Sequence, residues 1–217
     1  MSACCEQECH APPPADDPYR RVLWAALGIN AAMFLVELAA SFVAGSVAVQ
    51  ADALDFLGDA GNYAVSLFVL GMAVAWRARA ALLKGAVMGL FGLWVLGSTA
   101  SAAIAGTLPR PEIMGSIGLV ALAANVLVAF LLFRYRNDDA NRLSVWLCSR
   151  NDVIANLAVM LAGAGVWASG TPWPDIAVAI VIAVLGLTSA ARIARSATAE
   201  LRSSSPRRTA AMRRAAG

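Results

Sequence analysis

Residues 113–133 read IMGSIGLVALAANVLVAFLLF, without a single charge. A helix of this length spans roughly 32 Å, enough for the ~30 Å hydrocarbon core of a bilayer. A helix on the surface of a soluble protein would need a polar stripe, and here only Ser116 and Asn125 are polar. Five more apolar stretches surround this one. Those within 85–109 and 176–191 are also free of charge, and the one near 22–43 is interrupted only by Glu37. Those near 47–73 and 145–168 carry charges in their interiors. The breaks are turn-like or charged: Gly45-Ser46, Trp76 to Arg79, Pro109-Arg110-Pro111, Arg134 to Arg142, and Gly170 to Pro174. The alternating segments of a transmembrane β-barrel are absent. The expectation is an all-α membrane protein, a six-transmembrane-helix bundle.

Composition agrees. Apolar residues make up 59% of the 217 and charged residues 14%, where a soluble domain carries roughly a quarter charged. Mean hydropathy is +0.67. That excludes a soluble globular domain, a disordered chain and a disulfide scaffold. The net charge of +3 hides an asymmetry. Fifteen of the 17 basic residues border one side: Arg20, Arg21, Arg77, Arg79, Lys84, Arg134, Arg136, Arg142 and the seven from Arg192 onward. The positive-inside rule then puts both termini in the cytoplasm, as for a multi-pass protein of the cell (inner) membrane. The first twenty residues lack the basic-then-apolar order of a cleaved signal peptide.

The expected organisation is a tail over 1–19, a six-helix transmembrane domain over 20–195, and a short basic tail over 196–217. The first tail holds Cys4, Cys5, Cys9 and His10 ahead of Pro12-Pro13-Pro14. On a reducing face these cysteines stay thiols, so the tail reads either as an accessory metal-capturing segment or as a disordered tail without specific chemistry. The basic C-terminal tail reads as a solvated topology signal that could also attract anionic lipid heads, and no nucleic-acid partner is expected.

Ionisable residues inside a bilayer are functional candidates by default. Here they are nearly all acidic: Glu37 in span 1, Asp52, Asp55 and Asp59 in span 2, and Asp152 in span 5. At 100° per residue, Asp52, Asp55, Asp59 and Asn62 fall within about an 80° arc. Asp55 and Asp59 are one turn apart, and so are Cys148 and Asp152, with Asn156 a turn further on. Asn30 shares a face of span 1 with Glu37. Three carboxylates on one dry face must be protonated, paired, hydrated or bound to a cation. Arg150 cannot neutralise them, since it points about 160° away from Asp152 on an ideal helix. A divalent cation between spans 2 and 5 resolves the conflict, with four donors from Asp55, Asp59, Cys148 and Asp152, the number Zn²⁺ prefers. Asp52 reads equally as a hydrated or capping residue, and Cys148 as a small buried apolar one. Asn30, Asn62 and Asn156 read best as interhelical hydrogen-bonding groups. The small-residue patches Gly85-x3-Gly89 with Gly92, and Gly163 with Gly165, read as close helix contacts.

Taken together, these motifs resemble the cation diffusion facilitator family, metal–proton antiporters of the zinc transporter type. The resemblance runs from about Arg21 to Leu201. It rests on Asn30 and Glu37, on Gly45-Ser46 followed by Ala51-Asp52-Ala53-Leu54-Asp55-x3-Asp59, on Asn125, on Asn151-Asp152 with Asn156, and on Pro174-Asp175. It implies a transport site made of a pair on span 2 and a pair on span 5, here Asp55, Asp59, Cys148 and Asp152. Family members usually carry His or Asp where Cys148 stands, so Asn151 or water could take that place. Typical members continue after span 6 into a ferredoxin-like cytoplasmic domain. This chain ends within about 25 residues of span 6, too few for a folded domain, so dimerisation would rest on membrane helices.

The resemblance implies a secondary active transporter, not an enzyme, exporting a divalent transition metal in exchange for protons. Its cargo would be Zn²⁺ or Co²⁺, Cd²⁺, Ni²⁺ or Fe²⁺, with no tightly bound cofactor. Asn30, Glu37, Asp52 and Asn151 would be supporting polar residues. The alternative is a membrane-bound metal sensor or accessory protein that binds metal without moving it. An intramembrane aspartyl protease is a poor third reading, because Leu57-Gly58-Asp59-Ala60 lacks the Gly-x-Gly-Asp pattern such enzymes would show.

Overall fold

The computed structural model describes residues 18–68, 74–135 and 140–203, apart from the side chains of 74, 77, 140–151 and 203. These residues form six helices: α1 (Pro18–Ala44), α2 (Val47–Phe68), α3 (Val74–Ala105), α4 (Pro111–Phe133), α5 (Ala140–Ser169) and α6 (Trp173–Ser203). Five of them are long and apolar enough to cross a membrane. The sixth, α2, is long enough at 22 residues but carries three aspartates. The helical membrane bundle read from the sequence is therefore the fold. Its helices overrun the apolar stretches that announce them. Helix α3 starts at Val74, so Arg77, Arg79 and Lys84 lie on a helix and not in a loop. Helix α6 runs through Ser203, so the first part of the stretch read as a C-terminal tail is helical.

The surface is apolar and the interior is where polar groups gather. Leu35, Phe42, Ile104, Phe130 and Trp167 are all strongly exposed, as expected where lipid tails are the solvent. Only narrow stripes face inward. On α1 the buried residues are Tyr19, Leu23, Ala26, Asn30, Met33, Glu37, Ser41 and Ala44, and on α4 they are Met114, Gly118, Ala121, Asn125, Val128 and Leu132. Steps of three and four residues keep such a stripe on a single helix face.

Helix α2 is the exception, packed against α1, α3, α5 and α6 and buried along most of its length. Two features place it. The first is the α1–α2 turn, where Gly45 adopts φ +65° and the Ser46 amide bonds back to the Ser41 carbonyl at 3.1 Å. That is the Schellman ending of a helix, whose left-handed residue is strained for any side chain bearing a Cβ. The Arg110 amide at the start of α4 takes the Ala44 carbonyl at 2.8 Å, tying the turn to its neighbour. The second is close approach at small residues. A Cβ on Gly186 would stand 2.6 Å from Leu54, and one on Gly92 would stand 3.0 Å from Leu187. Gly85 lies against the Ala190 carbonyl of α6, and Gly118 and Gly163 let α4 and α5 meet at Met160 and Met114. The glycine patches are packing devices, as their spacing suggests.

The core has a layered order along the bundle. One apolar cluster, including Val47, Val49, Val95, Met114, Val166 and Ile182, fills the end near the α1–α2 turn. Another, including Tyr19, Leu23, Tyr63, Leu67, Val128 and Leu132, fills the opposite end. Between them lies a buried polar belt of Asn30, Glu37, Asp52, Asp59, Asn125, Asp152 and Asn156.

Candidate metal centre

The belt is built mainly by α2. Its N-terminus is fixed by a carboxylate from another helix. Ser46 caps α2 in the ordinary way, its Oγ accepting the Val49 amide at 3.1 Å. The same hydroxyl donates to Asp175 Oδ1 at 2.6 Å. Asp175 also accepts the Val47 amide at 2.9 Å and the Ala48 amide at 3.0 Å. An anion thus sits on the exposed amides and positive dipole end of α2, supplied by the first turn of α6. The role of Asp175 is not visible in the sequence, where an acid in the first turn reads as serving its own helix.

With α2 anchored, Asp55 and Asp59 face α5. Asp59 is buried and Asp55 partly so. Asp152 of α5 is buried and its carboxyl stands in hydrogen-bonding contact with both. Its Oδ2 has no hydrogen-bond donor. The expected meeting of spans 2 and 5 therefore occurs for three of the four candidate donors. The Cys148 and Asn151 side chains lie outside the described residues, and so do Cys4, Cys5, Cys9 and His10. Among the described residues, no group of three or more Cys, His, Asp or Glu is arranged ready to hold a metal ion. Asp152 touches the two α2 carboxyls pairwise, and carboxylates that close repel until a proton or cation comes between them.

One turn toward the α1–α2 turn, a second acidic pair forms. Glu37 of α1 and Asp52 of α2 are both fully buried and their carboxyls are in contact. Asn156 Nδ2 donates to Asp52 Oδ1 at 3.0 Å and to Oδ2 at 3.1 Å. Asn156 is thus the interhelical group its position suggests, linking α5 to α2. Asp52 does not cap α2: the first amides are taken by Ser46 and Asp175. Asn30 also departs from expectation. Its Nδ2 donates to the Ala26 carbonyl of its own helix at 2.8 Å, and its Oδ1 is left buried without a partner.

Lys84 is the residue that reading by spans misplaces most. Its ammonium donates to Asn62 Oδ1 on α2, its methylenes pack over Gly61, and its charge acts on Asp59. A cation therefore stands beside the acidic belt, on its side away from Asp52. The readable signal is the uninterrupted run from Ala78 to Leu83, alanine- and leucine-rich, which carries helix back past Lys84.

Comparison with known proteins matches residues 23–202 to the cation efflux transmembrane domain. The zinc transporter ZitB of Escherichia coli is 29% identical, over 89% of this chain and 66% of that protein. A cadmium, cobalt and zinc/H(+)-K(+) antiporter of Bacillus velezensis is 24% identical, over 79% of this chain and 59% of that protein. The chain spans about three fifths to two thirds of the length of these relatives. A family match across nearly the whole helical bundle, on a chain of lipid-facing helices around a buried acidic belt, makes this multi-pass membrane protein a member of the cation efflux family.

Proposed function

We propose that this protein exports a divalent transition metal in exchange for protons, through an intramembrane site between α2 and α5. The supporting observation is the placement of Asp152 against Asp55 and Asp59 in the bundle interior. These three carboxylates are the ligands, with Cys148 as the fourth donor one turn from Asp152 on α5. Zn²⁺ is the leading cargo. Two relatives are named for zinc, one of them also for cadmium, cobalt and protons.

The chemistry follows from the donors. Carboxylates and thiolates bind metal only when deprotonated, so metal and protons compete for the same oxygens and sulfur. A ligand shifts a conformational equilibrium only by its differential affinity for the two states. Exchange arises when the metal-loaded and the protonated site each pass between inward and outward access, while the unloaded, ionised site does not. Asp55, Asp59 and Asp152 are then metal ligands in one half of the cycle and proton carriers in the other. With both termini cytoplasmic, the α1–α2 turn faces outward and the basic rim faces the cell interior.

The test is vesicle flux across a panel of Zn²⁺, Cd²⁺, Co²⁺, Ni²⁺ and Fe²⁺ with a pH-sensitive dye, in wild type and Cys148→Ser. Metal entry should be accompanied by proton movement in the opposite direction, and should weaken as the metal-loading side is acidified. Cys148→Ser should shift preference away from Cd²⁺, because a thiolate favours soft ions and a hydroxyl does not. Metal binding without accumulation would instead identify a membrane-bound metal sensor.

Lys84 sets how tightly the site holds its cargo. A fixed ammonium near Asp59 repels an incoming cation. Removing a charge interaction of about 1 kcal/mol corresponds to roughly fivefold in affinity. Lys84→Met is therefore expected to bind metal roughly fivefold more tightly, read as a lower half-saturating concentration in the flux assay.

A further inference from the structure

Glu37, Asp52 and Asn156 hold a set of oxygens that the α2–α5 site does not use. Glu37 is fully buried, and neither Oε1 nor Oε2 has a hydrogen-bond partner. Asn156 is also fully buried, and its Oδ1 is without a partner while its Nδ2 is spent on Asp52. The Glu37 carboxyl stands in contact with that of Asp52, and no basic side chain among the described residues acts on either. Orphaned buried oxygens are costly, and here they lie on two helices, on Glu37 of α1 and Asn156 of α5, with the Asp52 carboxyl of α2 beside both.

We propose that Glu37, Asp52 and Asn156 form a second, oxygen-only station for a divalent cation, one helical turn from Asp55 on the side of the α1–α2 turn. Two carboxylates match the charge of a divalent ion. Half a rotation of the Asn156 amide brings its orphaned Oδ1 to where Nδ2 now lies, giving donors from α1, α2 and α5. A proton shared between Glu37 and Asp52 would satisfy one oxygen of Glu37 and leave the other, with Asn156 Oδ1, unpaired. A cation satisfies all of them. An all-oxygen set suits harder ions than a site containing a thiolate does. Under the transport reading above, this station receives cargo after the Asp55/Asp59/Asp152 site and passes it toward the α1–α2 turn; its capacity to bind a cation does not depend on that reading.

The experiment uses the full chain in detergent, with Mn²⁺ as the probe because it favours oxygen donors and competes poorly for cysteine tails. Binding is followed by electron paramagnetic resonance in wild type, Glu37→Gln, Asn156→Leu and the Asp55→Asn/Asp59→Asn double variant, each checked by its melting temperature. The expected result is a Mn²⁺ component that survives in the double variant. It weakens at least roughly tenfold in Glu37→Gln and in Asn156→Leu, a scale that even outer-shell changes reach at metal sites. Unchanged Mn²⁺ binding in folded Glu37→Gln overturns the proposal, as does loss of all binding in the double variant. Loss of a carboxylic-acid infrared band in Glu37→Gln, with no loss of Mn²⁺, also overturns it and identifies a shared proton instead. Zn²⁺ flux in the same variants is scored separately. A wild type that binds Mn²⁺ at Glu37 but moves no Zn²⁺ sinks the transport reading and leaves the station standing.

Discussion

Zn²⁺ flux into proteoliposomes carrying Asp59→Asn is expected to fall by at least roughly 100-fold, the upper end of what losing even a supporting group costs a metal site. In the proposed mechanism Asp59 supplies a charge that a neutral amide cannot replace, either as a ligand or as a proton carrier. The variant should nevertheless fold. Asp59 is buried against Asp152, whose contact with Asp55 remains. Replacing one of three crowded carboxylates by an amide of the same shape removes like-charge repulsion and provides a donor for the orphaned Asp152 Oδ2. Its melting temperature in metal-free detergent should therefore equal or exceed that of wild type. Loss of flux with retained or raised stability separates a transport residue from a structural one, because functional sites hold strain that neutral variants relieve. Near-normal flux would remove Asp59 from the site.

Asp175→Ala should do the reverse. Asp175 accepts three hydrogen bonds, from Ser46 Oγ and from the amides of Val47 and Ala48. Hydrogen bonds to a charged group contribute about 1.5–3 kcal/mol each, and bonds in one cluster do not add fully, so the expected loss is about 3–5 kcal/mol. The two α2 amides would be left in a buried position with no acceptor, and the positive end of the helix would lose its anion. Unfolding in mixed detergent micelles, followed by circular dichroism, measures this directly. Asp175→Asn keeps an acceptor of the same shape without the charge and should lose about half as much. Flux per folded molecule should fall less than in Asp59→Asn, since Asp175 is spent on the N-terminus of α2 and lies outside the proposed site. Equal melting of wild type and Asp175→Ala would mean that α2 is held by packing alone.

The two variants probe parts of the molecule that were unequally legible. The bundle could be read from residues 113–133 and their counterparts, because a bilayer demands long apolar helices whatever their packing. The pairing of α2 with α5 was legible as well. Asp55 with Asp59, and Cys148 with Asp152, repeat at helical spacing, and carboxylates in hydrocarbon call for partners. Asn156 sits where that spacing puts it, bonded to Asp52. Helix ends were less legible. The stretch around Lys84 and the one after Ala191 carry charge, which hydropathy counts as loop, whereas the backbone continues as helix through both.

By itself, then, the sequence determined that this chain is a helical membrane protein and which acids lie at bilayer depth, since both follow from local spacing and the absence of water. Only the tertiary structure decided what the other buried groups meet. It paired Glu37 with Asp52, a contact that the helical spacing of Asp55, Asp59 and Asp152 does not announce. It sent Asp175 to cap a helix remote in the chain and turned Lys84 toward Asn62. These are contacts between helices far apart in the chain. They depend on the rotation and depth of each helix, set by the close approach of Gly186 to Leu54 and by the turn at Gly45, and no periodicity within a single helix encodes them.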